Sequence, residues 1–342
     1  MHGQFVWYDL MTSDVPGAKR FYTQIAGWKT ENFEFASPDQ PYTMWTNKGK
    51  ALGGVGQLPS EQAAHGVPPY WVSSVQVNNV DDTLRKATSL GGRVVAPAMD
   101  IPQTGRYAVI ADPQGANIAV FQPSGPYEGF DGTPTIGRHS WNELMTTDYK
   151  RAFDFYRQLF GWEQVSETDM GGGMMYLIFG LNGKQYGGMF NRMPDMASVP
   201  PFWLPYINVK DAKATTKTAE RAGARVVRGP MDIPGGWISI MADPQGAAFA
   251  VHSVNATMSA SGGAKPRAKT KAKTKAKTKA KTKARAKASR KVAVKRKSAG
   301  AAKARRSKTR ARTKTKARTK AKSRPKAKAR PKARAKKKAR RR

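Results

Sequence analysis

Residues 7–14 read Trp-Tyr-Asp-Leu-Met-Thr-Ser-Asp, and residues 141–148 read Trp-Asn-Glu-Leu-Met-Thr-Thr-Asp. The offset of 134 between these octets is kept by Phe21-Tyr22 and Phe155-Tyr156, by Gly27-Trp28 and Gly161-Trp162, and by Gly53-Gly54 and Gly187-Gly188. Further along it tightens slightly. Pro69-Tyr70-Trp71 returns as Pro201-Phe202-Trp203, Met99-Asp100-Ile101-Pro102 as Met231-Asp232-Ile233-Pro234, and Asp112-Pro113-Gln114-Gly115-Ala116 as Asp243-Pro244-Gln245-Gly246-Ala247. So many matches in register mark a tandem duplication. The expected organisation is a first module at 1–125, a linker at 126–137, a second module at 138–257 and a tail at 258–342.

Each copy has the same local grammar. An alternating strand, with Phe5, Trp7, Asp9 and Met11 expected on one face, ends at Ser13-Asp14. Asp14 suits the N-cap of a helix whose apolar positions are Ala18, Phe21, Tyr22 and Ile25, and Gly27 suits its C-cap. Short strands follow, with a hairpin turn at Lys48-Gly49 in one copy and Asn182-Gly183 in the other. A second strand and helix begin near Trp71 and run to Leu90, with Gly91-Gly92 behind. Asp112-Pro113-Gln114-Gly115 carries Pro and Gly at the second and fourth places of a type I turn. Each copy therefore reads βαβββ twice, which makes four such units and an α+β fold.

The charge of +38 belongs to one end of the chain. Residues 259–342 hold 40 of the 61 Lys and Arg and none of the 23 Asp and Glu, which leaves 21 basic against 23 acidic residues in 1–258. All 8 Trp, 11 Tyr and 13 Phe also lie in the body. The tail cannot bury enough apolar surface to offset its chain entropy, so it is expected to be disordered. There is no Cys, which excludes disulfides and thiolate chemistry. No signal-peptide pattern and no spanning apolar run occur, so a soluble, cytoplasmic, nucleoid-associated protein without a membrane partner is expected.

The strings DLMTSDVPGAKRFYTQIAGW and ELMTTDYKRAFDFYRQLFGW, with two ADPQGA turns, resemble the vicinal oxygen chelate superfamily of glyoxalase I, bleomycin-resistance proteins and extradiol dioxygenases. The likeness spans residues 4–253 and implies two glyoxalase-like modules with a cleft between paired units. It also implies a divalent metal that chelates neighbouring substrate oxygens as a Lewis acid. The positions that would carry the ligands fall on Trp7, Val72 and Ala119 in one copy and on Trp141, Leu204 and Ala250 in the other. Residues 41–60 and 181–192 contain no His, Asp or Glu. The usual metal site is thus expected to be absent and no cofactor is expected, with one exception left open. His139, Glu143 and His252 would share a cleft face if the strands alternate regularly, as a two-His-one-carboxylate site.

Asp9 and Glu143 occupy equivalent places two residues beyond the cleft Trp. Each is a candidate catalytic acid or base, or else a hydrogen-bonded carboxylate that fixes its strand. Trp7, Trp71, Trp141 and Trp203 are candidates for stacking on a flat organic ligand, or else core filling. The tail resembles the Lys/Ala/Pro tails of linker histones. Its run Lys269, Lys271, Lys273, Lys275, Lys277, Lys279, Lys281, Lys283, Arg285 and Lys287 is expected to bind DNA or RNA without sequence preference, by counterion release. Three functions fit these features: a metal-free ligand-binding body tethered to nucleic acid, a lyase, isomerase or oxygenase-type enzyme using Asp9/Glu143 or the His139 cluster, and a DNA-packing protein with an inert body.

Overall fold

Regular alternation and well-placed caps make the first module. It runs β1 (Phe5–Thr12), α1 (Val15–Ala26), β2 (Lys29–Asn32), β3 (Thr43–Asn47), β4 (Lys50–Gln57), α2 (Ser60–Ala64), β5 (Tyr70–Gln76), α3 (Val80–Ser89), β6 (Arg93–Ile101), β7 (Gly105–Ala111) and β8 (Asn117–Pro123). The second repeats it without the short α2: β9 (His139–Thr146), α4 (Tyr149–Phe160), β10 (Glu163–Asp169), β11 (Met175–Leu181), β12 (Lys184–Asn191), β13 (Phe202–Asn208), α5 (Ala212–Arg221), β14 (Arg225–Ile233), β15 (Gly236–Ala242) and β16 (Ala248–Val254). This computed structural model describes residues 1–33, 42–127, 129–130 and 133–254. The tail, with the residues from Lys269 to Lys287, lies outside the described residues.

Caps set the helix bounds as the sequence suggests. Asp14 accepts from the Gly17 amide at 2.9 Å, and Asp148 accepts from the Lys150 and Arg151 amides at 3.1 Å. Gly27 and Gly161 end their helices with φ of 68° and 75°, a left-handed turn that a side chain would strain. The buried face of α1 is Ala18, Phe21, Tyr22 and Ile25.

Each module is one eight-stranded sheet, ordered β2-β3-β4-β1-β5-β8-β7-β6 and β10-β11-β12-β9-β13-β16-β15-β14. Two βαβββ units meet where β1 pairs antiparallel with β5, and β9 with β13. One sheet face turns to the helices and a core shared by both modules. The other face is the one to which the resemblance assigns the cleft. In-register neighbours share a face, so Asp9 opposite Val72 and Trp7 opposite Ser74 mark the cleft side, whereas Leu10 opposite Trp71 marks the core side.

A register shift between Phe5 and Trp7 interrupts the expected alternation of β1. Phe5 therefore leaves the face of Trp7, Asp9 and Met11 and enters the core, where it stacks on Trp162 of the other module at 5.3 Å. The matching shift in β9 does the same to His139, which stacks on Tyr8 of the first module at 3.6 Å and approaches Trp28 and Trp71. The modules thus exchange one ring each.

They exchange hydrogen bonds as well. Asp112 Oδ1 accepts from the Gln114 and Ala116 amides of its own turn, while its Oδ2 accepts from Tyr156 Oη of the second module at 3.0 Å. Asp243 accepts from Gln245 and Ala247 and, at 3.0 Å, from Tyr22 Oη of the first module. Trp71 donates to Tyr22 Oη and Trp203 to Tyr156 Oη, both at 3.0 Å. The repeated Asp-Pro-Gln-Gly turn is therefore a reciprocal latch between modules. The described part of the linker is docked too: Phe130 N donates to Phe5 O at 2.7 Å, and Trp28 Nε1 donates to Gly137 O at 2.7 Å.

Candidate functional site

The cleft carboxylates are held by a device built from four residue types. In the first module Trp7 Nε1 donates to Asp9 Oδ1 at 3.0 Å and to Tyr42 Oη at 2.7 Å, and Tyr42 Oη donates to the same Asp9 Oδ1. In the second, Trp141 Nε1 donates to Tyr176 Oη at 2.9 Å, and Tyr176 Oη donates to Glu143 Oε2 at 2.8 Å. Each Tyr lies across the strand next to the carboxylate, and glycine makes this possible. A Cβ at Gly54 would stand 1.9 Å from Tyr42 Oη, and one at Gly188 would stand 2.1 Å from Tyr176 Oη. The companion glycines serve the backbone instead: a Cβ at Gly53 would meet the Tyr8 carbonyl at 2.2 Å.

Tyr42 and Tyr176 stand 134 residues apart, on the same offset as the octets. That spacing is the signal through which sequence reasoning could have found them.

Electrostatics follow from the enclosure. Burial pushes the Asp9 carboxyl up to about 6, against the opposing pull of the Tyr42 and Trp7 donors. Burial also raises Glu143, opposed by Tyr176 and Tyr206. Tyr42, Tyr176 and Tyr206 are pushed well above the ordinary phenol range, first by burial and then by the adjacent carboxylate, so they stay protonated donors.

Of the four Trp proposed for the cleft, Trp7 and Trp141 are there and partly exposed. Trp71 and Trp203 are not: they sit opposite Leu10 and Leu144 on the core face, 7% and 4% exposed. Their indoles are latch members. The proposed His139–Glu143–His252 set does not form, because the β9 register shift sends His139 through the sheet to the core side. Its imidazole is held neutral, lowered to about 3 by burial and by the nearby positive Arg138. His252 does stay on the cleft face, opposite Ile238, with Ser140 Oγ at 3.3 Å from its Nδ1. Among the described residues no group of three His, Asp or Glu is placed to hold a metal ion.

Across the central strands Trp7 lines up with Ser74 and Ala119, and Trp141 with Tyr206 and Ala250; Val72 and Leu204, expected at these places, pair with Asp9 and Glu143 instead. The indoles and methyls offer no lone pair to a divalent cation, and the neutral hydroxyls of Ser74 and Tyr206 do not replace the His and carboxylate donors such a metal takes, so these residues do not fit the metal that the resemblance implies.

A double module of this order, with paired clefts on β1/β5 and β9/β13, matches a known sequence profile. The profile of the glyoxalase/bleomycin resistance protein/dioxygenase superfamily fits residues 4–120 and again 138–251. The chain belongs to this superfamily. Among curated relatives, it is 35% identical over 246 residues to CFP32 of Mycobacterium bovis, a protein carrying a glyoxylase name, covering 72% of this chain and 92% of that one. It is 30% identical over 260 residues to the anthracycline biosynthesis protein DauV of Streptomyces sp. strain C5, covering 73% and 92%. Among solved structures, the Mn(II)-bound glyoxalase of Novosphingobium aromaticivorans superposes with a TM-score of 0.51 at 13% identity, over 74% of this chain and 82% of that one. This last likeness is one of fold.

Proposed function

We propose that the body binds a small, flat organic molecule on the cleft face of a module, against its buried carboxylate, and that the tail tethers the body to nucleic acid. The observation that carries the first half is the Trp–Tyr–carboxylate device, in which an enclosed Asp9 is half-wrapped by donors and ringed by aromatic side chains. Burial raises the phenols of Tyr70, Tyr107 and Tyr127, and the nearby Asp9 charge raises each of them further. An apolar wall with one oriented polar group is the usual chemistry of a small-molecule site. The relative whose name refers to anthracycline biosynthesis supports a polycyclic aromatic ligand. Native mass spectrometry of the full chain, isolated from its own cells and released from nucleic acid by salt, is expected to show a retained organic mass. A clean apoprotein mass that stays unshifted by a panel of planar aromatics would contradict the reading.

One observation favours a reaction beyond binding. A carboxyl with a pKa near 6 is poised to exchange a proton near neutral pH, so Asp9 suits a general base on an acidic C–H or O–H of a bound ligand. No step through a metal is assigned, because the cleft residues supply no ligand set for one.

For the tether, the support is composition: 40 cations without one acid. With about 10 phosphate contacts, log K should fall against log salt at a slope near −9. Fluorescence anisotropy with duplex DNA between ~50 and ~200 mM salt reads this slope. Salt-insensitive binding, or equal affinity after replacing half of the tail Lys and Arg by Gln, would refute the tether.

A further inference from the structure

The two clefts differ at one register position, and the difference rests on the ligand-binding reading above. In the second module Tyr206 stands opposite Trp141 and donates its phenol to Glu143 Oε1 at 2.9 Å. With Tyr176 on Oε2, both oxygens of Glu143 are satisfied by the protein itself. The first module has Ser74 at the Tyr206 position, opposite Trp7. Tyr70, the phenol that β5 carries, donates to Gln62 Oε1 at 3.1 Å and not to Asp9, and among the described residues Asp9 Oδ2 receives no hydrogen bond. Ser74 Oγ is buried, at 1% residue exposure, and also lacks a partner. Ser74 Oγ, dry and unpartnered, costs stability unless a ligand completes it, and Asp9 Oδ2 is left as an acceptor that no protein group fills.

Beside the strand residues Tyr70 and Tyr107, which lie near Asp9, one ring from outside the sheet packs on this face. Tyr127, from the segment that joins the modules, packs edge-on to Trp7 at 6.4 Å and to Phe121 at 5.8 Å. Trp7 and Phe121 belong to β1 and β8, on either side of β5, so the ring spans the strand that carries Ser74. Unlike Tyr206, it belongs to a connecting segment and not to a strand of the sheet.

We infer that the first-module cleft is the ligand site, and that it takes a neutral hydroxylated aromatic. The phenolic O–H would donate to Asp9 Oδ2 and accept from Ser74 Oγ, in the place where Tyr206 closes the second module from within. The internal duplication supplies the template: the Tyr206–Glu143 contact is the same phenol–carboxylate pair made within the chain. A carboxylate ligand would be repelled by Asp9, and an aromatic without a donor would leave Oδ2 bare.

Titration calorimetry of the full-length protein with 2-naphthol and with 2-methoxynaphthalene tests this at pH 7.5. One 2-naphthol per chain is expected, bound at least tenfold more tightly than its methyl ether. Asp9→Asn should weaken binding tenfold or more, and Ser74→Tyr, which installs the blocking phenol, should abolish it. Tyr206→Phe should leave the affinity within twofold. Circular dichroism melts confirm that each variant is folded, and if Ser74→Tyr does not fold, Ser74→Ala, expected to weaken binding severalfold, takes its place. Two sites per chain, or an Asp9→Asn variant that binds like the parent, would overturn the assignment to the first module while leaving the ligand reading intact. Absence of saturable binding by either naphthalene would overturn both.

Discussion

The two modules are near copies in everything that holds them together and differ in what faces their clefts. Latch for latch, Tyr22–Asp243 answers Tyr156–Asp112 at the same 3.0 Å. Ring for ring, Phe5 and His139 cross into the partner module. On the cleft face, by contrast, the equivalent positions carry Asp9 and Glu143, Ser74 and Tyr206, Tyr107 and Ile238, and Phe121 and His252. Duplicated domains keep the contacts that bury their shared core, because each lost hydrogen bond there leaves a dry polar group. On the cleft face the copies part, at Ser74 even with a buried hydroxyl left without a partner. The contrast separates residues retained for folding from residues available for function without any alignment.

The sharpest way to break this comparison is to cut one latch at a time. Asp112→Ala and Asp243→Ala each strand a buried tyrosine hydroxyl and two turn amides, so each should cost roughly 2–4 kcal/mol, and by similar amounts. Urea melts of the full chain measure both. A large loss in one with little in the other would show that the modules are not held symmetrically.

A smaller effect is expected at the strand glycines. Gly54→Ala and Gly188→Ala would drive Tyr42 and Tyr176 off their carboxylates, costing about 1–3 kcal/mol each by overpacking. In the first module the lost donor should also raise the Asp9 midpoint further above 6, because Tyr42 is what pulls it down. A Gly54→Ala variant with unchanged stability and an unchanged midpoint would mean that Tyr42 does not hold Asp9.

The exchanged rings should differ in their response to pH. His139 is held neutral near 3, against its ordinary 6.5, so the unfolded chain binds its proton more readily. Stability contributed by the neutral ring is complete above pH 6.5 and is lost as pH falls toward 3. His139→Phe copies Phe5 and should remove one proton from that slope, about 1.4 kcal/mol per pH unit between pH 6 and 4. Asp9 acts in the opposite sense: its raised value favours the folded state at low pH, and that advantage fades as pH rises through 6. The comparison of His139→Phe with the parent cancels the Asp9 contribution. Parallel stability–pH curves would show that His139 titrates normally.

Much of this architecture is legible in the chain. The offset of 134, the Asp14 and Asp148 caps and the Gly27 and Gly161 stops are local signals, and the elements form where those signals fall. The carboxylates Asp9 and Glu143 are also legible as equivalent positions. What misleads is alternation itself. One register shift in β1 and one in β9 move Phe5 and His139 to the other side of the sheet, and the two-His-one-carboxylate cluster suggested by strict alternation disappears with them. Trp71 and Trp203 are misplaced for a related reason: which face a strand residue takes depends on its cross-strand partner, Leu10 or Leu144, and no local pattern encodes that. Ser74 carries meaning only once β5 is seen beside β1.

The divergence of the two clefts is tested most directly by 13C NMR of the side-chain carboxyls of Asp9 and Glu143, assigned through Asp9→Asn and Glu143→Gln. Asp9 is expected to titrate with a midpoint near 6, and its signal should move on addition of 2-naphthol while that of Glu143 stays still. Equal naphthol-induced shifts at both carboxyls, or a shift at Glu143 alone, would contradict it.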